Sequence, residues 1–480
     1  MKVLEATSLK KYSLEQLETP KGIDLLCENL VNTKYEDLSE ENVEIFKDRL
    51  LDMIGCIFGG ACVEEDEFLV EMYQKWGGAE EAPLFAHKGR IPAINAISLN
   101  SILARANDFG NMVSYVHGDR IASHFGETLI PTNLTFADMQ GTSGKEFIAR
   151  NVAAEDTIGR ILYTLPNRWP TDMLLGAPIA AALLSRIYGF NAQQAKAAMS
   201  YAATNNSDPG NAYFDYSQEY KLFNGESARV GMLSCEVVKH GWNGLADPFF
   251  GHWGIISKQL KNGETVPALY EKAFDGLGEV YFTESSFKRC PGGIPTTVAA
   301  NLGKTLRRMI IDKYGKLEPE MIKQVHLYRS SNVNNNYYSQ PFTMRNHINA
   351  LFCFRFASCC CLLTGNLTVK DAQTSTILSR PELIDITENA TMGVYESSNG
   401  KQMMKLVVEM ADGSSLEAED DYAGSMYAYP TKEFLREKFL SQFHDFGKLP
   451  ESYAEKIIEL CAKVEELPDL RELTELLVLK

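Results

Sequence analysis

The chain has 480 residues, enough for two to four domains and at least one large core. Hydrophobic residues at 45% and charged residues at 23% fit an ordinary globular protein. The 63 acidic against 47 basic side chains leave a net charge of −16, and no Lys/Arg cluster offers the basic face that nucleic acid requires. An anionic ligand would therefore need a local positive site against the overall field.

In chain order, "MKVLEATSLKKYSLEQLE" lacks an apolar h-region, so no secretory signal is expected. "VEIFKDRLLDMIGCIFGGA" spaces Ile45, Phe46, Leu50, Met53, Ile54 and Ile57 as a helix, with Gly59–Gly60 as the expected stop. "AINAISLNSILARANDF" repeats the pattern and runs into "NDFGNMVSYVHGDRIASHFGETLIP", a stretch crowded with titratable groups. In "TSGKEFIARNVAAEDTIGRIL", Ser143 and Glu146 have capping-box spacing. "DMLLGAPIAAALLSRIYG" is rich in small residues and predicts a helix in the centre of a bundle. "NAQQAKAAMSYAAT" and "GESARVGMLSCEVVKHG" continue the helical theme.

After about residue 275 the texture changes. "GEVYFTESSFKRCPGG", "KQVHLYRSS" and "KQMMKLVVEMADGSSLEAE" read as strands, the last as a hairpin. "VAANLGKTLRRMIIDKYG" and "NHINALFCFRFASCCCLLTG" read as helices between them, and "YPTKEFLREKFLSQF" restores the helical pattern. The expected fold class is mainly α with an α+β insert: a large all-helical domain over 1–277, a smaller α+β lid over 278–420, and C-terminal helices over 421–480 returning to the first domain. The ten cysteines have no zinc-site spacing and read as buried free thiols, which suits a reducing, cytoplasmic setting. No stretch approaches 18 uncharged apolar residues, so no contact with a membrane is expected.

No P-loop, dinucleotide fingerprint, H-E-x-x-H or G-x-S-x-G occurs. Chemistry must then come from side chains alone, as proton transfer, elimination or decarboxylation. Asp108 and His124 are the first candidates, since an imidazole carries protons near neutral pH; a structural histidine in a capping network is the alternative. His117 reads as solvated and Glu127 as a surface or capping carboxylate. Lys288 and Arg289 in "SSFKRCPGGIP" stand before a helix start that suits a carboxylate, or else form an exposed basic turn. "SSNVNNNYYSQPF" offers Tyr337 or Tyr338 as a proton donor, with Arg345 and His347 following; structural or solvated roles are the plainer reading. Lys221 precedes "FNGESA", another anion site or a plain surface lysine.

Together these segments resemble the MmgE/PrpD family, which includes 2-methylcitrate dehydratase, cis-aconitate decarboxylase and iminodisuccinate epimerase. The resemblance runs from "DRLLDMIGCIFGGA" through "NDFGNM…HFGETLIP", "GESARVGMLSCEVVKHGWNG", "FKRCPGG" and "YYSQPF" to "YPTKEFLREKF". It implies a helical domain with an α+β lid, a homodimer, no metal or other cofactor, and an active site between the domains. It also implies catalytic roles for Asp108, His124, Lys288 and Tyr337. Departures accompany it: Gly110, Asn111 and Met112 replace two acids and a threonine of a D-F-D-D-T segment, and the loop before His124 is about six residues longer. Trp169 stands where many members carry histidine, and Lys221 lies one residue out of register. Lys221, Arg289, Trp169 and Met112 are the expected substrate-binding residues. The implied activity is a cofactor-independent lyase on a small di- or tricarboxylate, with an epimerase or isomerase, or an inactive binding protein, as alternatives.

Overall fold

A computed structural model describes residues 22–122, 124–165, 175–205, 215–251, 254–256, 267–333, 343–397 and 400–480. The chain is mainly helical, with small sheets and an α+β portion. Helices α1 (Gly22–Asn32), α2 (Glu40–Gly60) and α3 (Glu67–Trp76) lead to a two-residue strand pair, β1 (Ala82–Pro83) with β2 (Arg90–Ile91). Next come α4 (Ala93–Arg105), β3 (Val113–Val116), β4 (Asp119–Ala122), α5 (Gly126–Gln140) and α6 (Gly144–Tyr163). Helices α7 (Gly176–Ile187), α8 (Ala192–Thr204), α9 (Glu219–Lys239) and α10 (Pro267–Ala273) complete the first helical run.

The small-residue helix α7 is buried along nearly its whole length. It packs so tightly on α9 that a Cβ on Gly231 would lie 2.5 Å from Cβ of Ala180. At the head of α6, Ser143 accepts the Glu146 N–H at 3.4 Å, as its spacing predicts.

A short strand, β5 (Ser285–Ser286), pairs with β3, joining the later chain to the helical body. Helix α11 (Thr296–Tyr314) precedes β6 (Ile322–Ser330), which lies at the centre of a four-stranded sheet ordered β7-β6-β8-β9. Here β7 (Thr391–Tyr395) runs parallel to β6, while β8 (Met403–Met410) and β9 (Ser415–Asp421) form the predicted hairpin. Helices α12 (His347–Leu351) and α13 (Phe354–Thr364) pack with α11 in the same apolar cluster as β6 and β8. After β9, helix α14 (Lys432–Phe446) sends Phe439 and Phe443 against Phe58 of α2, and helix α15 (Glu451–Ala462) follows.

Three elements differ from the sequence reading. The 107–131 stretch contains the β3–β4 hairpin, turning through His117 (φ 52°) and Gly118 (φ 76°), both left-handed, as a two-residue type I′ turn demands. "GEVYFTESSF" forms a strand only at Ser285–Ser286, because β3 offers partners to those two residues alone. "NHINALFCFRFASCCCLLTG" is two helices, interrupted where Cys353 leaves helical geometry and caps the second with its sulfur.

Candidate active site

Helix α4 is buried on almost every face and ends inside the protein at Arg105. Three residues on, Asp108 adopts a left-handed φ of 45°, a conformation aspartate tolerates better than most residues. This turn folds the Asp108 carboxylate back onto the Arg105 guanidinium, and both are buried. Arg105 also lies 5.1 Å above the Tyr220 ring of α9, 3.8 Å from Oε1 of Glu127, and 3.4 Å from Nε2 of His124 through its Nη2.

The hairpin carries the chain across to His124, just before α5. Asn224 of α9 holds this segment, donating to the His124 carbonyl and to Oγ1 of Thr128, both at 3.0 Å. Nδ1 of His124 meets Oε1 of Glu127 at 3.1 Å. Strand β5 then brings Lys288 in from the later part of the chain. Its ammonium donates to the Asp108 carbonyl at 2.8 Å and to Oδ1 of the same residue. From α14, Lys438 donates to the carbonyls of Phe109 (2.7 Å) and Lys288 (3.1 Å) and pairs with Oδ1 of Asp52 at 2.5 Å. Oδ2 of Asp52 accepts the Asn111 N–H at 3.0 Å, so one buried ion pair of α2 and α14 fastens both sides of the cluster.

The electrostatics follow from burial and crowding. Burial, then the Arg105 guanidinium, push the His124 imidazole down to about 3, so it is neutral at physiological pH. Burial alone would raise Glu127, but His124 and Arg105 outweigh it and hold the carboxyl at about 2. Burial and Arg105 likewise drive the Lys288 ammonium well below its usual range. His124 has the most accessible side chain of the group at 11% exposed, while that of Glu127 is fully enclosed. Several buried polar atoms around it have no hydrogen-bond partner among the described residues: both amide atoms of Asn107, Oδ1 of Asn111, Oδ1 of Asn224 and Oε2 of Glu127. Buried polar groups are rarely left unmatched, and such groups suit a polar ligand or ordered water.

Asp108, His124 and Glu127 each place a ligand atom within 4.8 Å of the others, the spacing of a three-residue metal site. Arg105 and Lys288 already bond the Asp108 carboxylate, so a divalent cation there would face two buried positive charges. The donor set therefore fits side-chain proton transfer better than a metal.

The structure thus brings Asp108, His124 and Lys288 together. Met112 lies beside them in sequence, its N–H donating to the Ser286 carbonyl at 3.1 Å and its side chain buried in the later apolar cluster. Lys221 is neither at the surface nor ahead of its helix: it lies within α9, buried, paired with Asp66 at 2.7 Å. Arg289 turns toward the Ala428 carbonyl (3.2 Å) and the Phe434 ring. Lys288 is not an exposed basic turn, because it is fully buried and its ammonium is held inside by Asp108. Trp169 and Tyr337 lie outside the described residues. His117 is half-buried rather than fully solvated and packs edge-on against Phe282 and Tyr163. Glu127 is not a surface carboxylate, since its side chain turns inward to His124 and Arg105.

Sequence reasoning passed over Arg105, Glu127, Asp52 and Lys438. The i,i+3 spacing of His124 and Glu127, and the place of Lys438 beside the apolar stripe Leu435–Phe439–Phe443, were the available signals.

The mainly helical fold that carries this cluster matches a known family. The MmgE/PrpD N-terminal domain matches residues 24–266, just over half of the chain, and the chain belongs to the MmgE/PrpD family. A similar curated protein is the cis-aconitate decarboxylase-like protein oryM of Aspergillus oryzae, 21% identical over 286 residues. That match spans 56% of this chain and 58% of the length of the relative. Arg105, Asp108, His124 and Glu127 fall within the family match, and Lys288 lies beyond it.

Proposed function

We propose that this protein is a cofactor-independent lyase, a dehydratase or decarboxylase, acting on a small di- or tricarboxylate by proton transfer beside a carboxylate. The observation that carries this reading is the convergence of a neutral, partly accessible imidazole with Arg105 and Lys288. Family membership and the printed name of the fungal relative support the same reaction class. Arg105 and Lys288 hold the substrate carboxylate. His124 moves the proton at the adjacent carbon, and the two cations stabilise the enolate that develops. A bound carboxylate also cancels the positive field that weakens His124 and Lys288 as bases, so substrate raises their hold on a proton at the moment it is needed.

An epimerase is the second reading. The observation favouring it is that two proton carriers, His124 and Lys288, stand in one cluster, so the neutral imidazole can take a proton while the ammonium returns one.

The test is a thermal-shift screen of carboxylates followed by proton NMR of the best binder in heavy water. An alkene or carbon dioxide marks the lyase, and deuterium in otherwise unchanged substrate marks the epimerase. His124→Ala is expected to lower turnover by about two to four orders of magnitude with the fold intact. Near-normal turnover in that variant would remove the assignment.

A further inference from the structure

We propose that Glu127 is a positioning residue for His124: its carboxylate, seated over Gly110, fixes the imidazole with the proton on Nδ1 and presents Nε2 as the acceptor. This rests on the reading of His124 as the proton carrier.

The first support is the placement of the carboxylate. Glu127 occupies the first turn of α5, where a carboxylate would ordinarily lie in solvent near the free N–H groups. Its side chain is instead fully buried, with Oε1 on His124 and Oε2 without a partner among the described residues. Burying a carboxylate is costly, and an apolar residue would fill the same volume at less cost. Such burial is retained here in contact with one imidazole and one guanidinium.

The second support is the room made for it. A Cβ on Gly110 would lie 3.1 Å from Oε1 and 3.3 Å from Cδ of Glu127, and 3.0 Å from Cε of Met53. A Cβ on Gly126 would lie 2.9 Å from Oδ1 of Asn111. Neither glycine has the left-handed φ that would explain it by backbone geometry. Close approach is what remains to explain them, and at Gly110 the approaching groups are the carboxylate and the Met53 methyl.

The third support is that both neighbours of the ring select one tautomer. A guanidinium only donates, so the nitrogen facing Arg105 is an acceptor. A carboxylate only accepts, so the nitrogen facing Glu127 carries the proton. The carboxylate thereby orients the imidazole, as the aspartate does in a Ser-His-Asp triad.

The experiment uses the full-length protein with ¹⁵N-labelled histidine, the His124 signals being assigned by their loss in His124→Asn. At neutral pH the unaltered protein is expected to show a protonated Nδ1 and an unprotonated Nε2. Glu127→Gln should dilute that tautomer and lower kcat by about 10²-fold with little change in KM. Gly110→Ala should shift the same signals the same way by a smaller amount, because the displaced carboxylate remains present. A proton on Nε2 in the unaltered protein would overturn the proposal, and so would a pure Nδ1–H tautomer in both variants. If the tautomer responds as expected but His124→Asn keeps its turnover, the proton-carrier reading fails while the positioning role stands.

Discussion

His124 sits between a guanidinium that disfavours its proton and a carboxylate that favours it, and burial decides the balance for the neutral ring. This has a consequence for stability. The folded imidazole binds a proton only near pH 3, while the unfolded one does so near its ordinary 6.5. Between those values the unfolded chain holds more protons, so acidification destabilises the fold through this residue. The contribution is fully present above pH 6.5 and is lost as pH falls toward 3. Glu127, held at about 2, adds loss of the same sign at lower pH, from about 4.5 downward. Replacing His124 by glutamine removes the first contribution. The variant is expected to lose less stability than the unaltered protein between pH 6.5 and 4, by up to about 3 kcal/mol, read as the pH dependence of the melting temperature. Parallel curves for the two proteins would show that His124 is not the buried neutral group described.

Helices deliver these residues, and the packing of the helices sets their precision. Arg105 ends α4, which α2 crosses so closely that a Cβ on Gly60 would lie 1.9 Å from the Leu103 carbonyl oxygen. Gly59–Gly60 is thus both the helix stop the sequence predicts and a crossing point, and Gly60→Ala is expected to cost about 2–3 kcal/mol in denaturant unfolding. Lys438 of α14 ties the two backbone stretches that carry Asp108 and Lys288. Lys438→Met leaves Asp52 buried and unpaired, and is expected to destabilise by about 3–5 kcal/mol. Asp52→Asn added to it should return part of that loss, which a double-mutant cycle would measure. The long helices were legible in the sequence because a 3.6-residue apolar period survives in each of them. So were Asp108, His124 and Lys288 as candidates, and the structure groups them. What was not legible depends on distant partners. Arg105 reads as the basic last turn of any helix and Glu127 as the acidic first turn of one; only the fold turns them toward each other. The hairpin at 113–122 hid behind its polar content, since its strands are four residues each and its turn is the unremarked pair His117–Gly118. The strand expected over 278–286 shrank because β-propensity acts only where a partner edge exists.

Over the whole molecule, the cluster lies where the apolar cores built from the helices meet the core built around the four-stranded sheet. Met112 and Tyr220, from the helical part of the chain, already belong to the sheet's core. His347 at the start of α12 faces the Ala106 carbonyl at 3.3 Å, and Gly292 donates to the Asn107 carbonyl at 3.0 Å. Both contacts cross between the same two parts beside Asp108. The cations at this junction carry no surplus: Arg105 and Lys288 face Asp108 and Glu127, and Lys438 faces Asp52. From a distance such balanced pairs contribute little field, while the chain as a whole carries −16. A dianionic substrate therefore approaches a repulsive surface and gains its attraction only on contact, when it exchanges partners with Asp108. Screening should help it arrive. For a di- or tricarboxylate, kcat/KM is expected to rise by a factor of about two or three as ionic strength increases from about 10 to 150 mM, over which the Debye length falls from about 30 to 8 Å. A neutral ester or amide of the same substrate should show no such trend. A steep fall with salt would mean instead that an electropositive entrance draws the anion in, and that the local balance of charge described here is not what the substrate meets first.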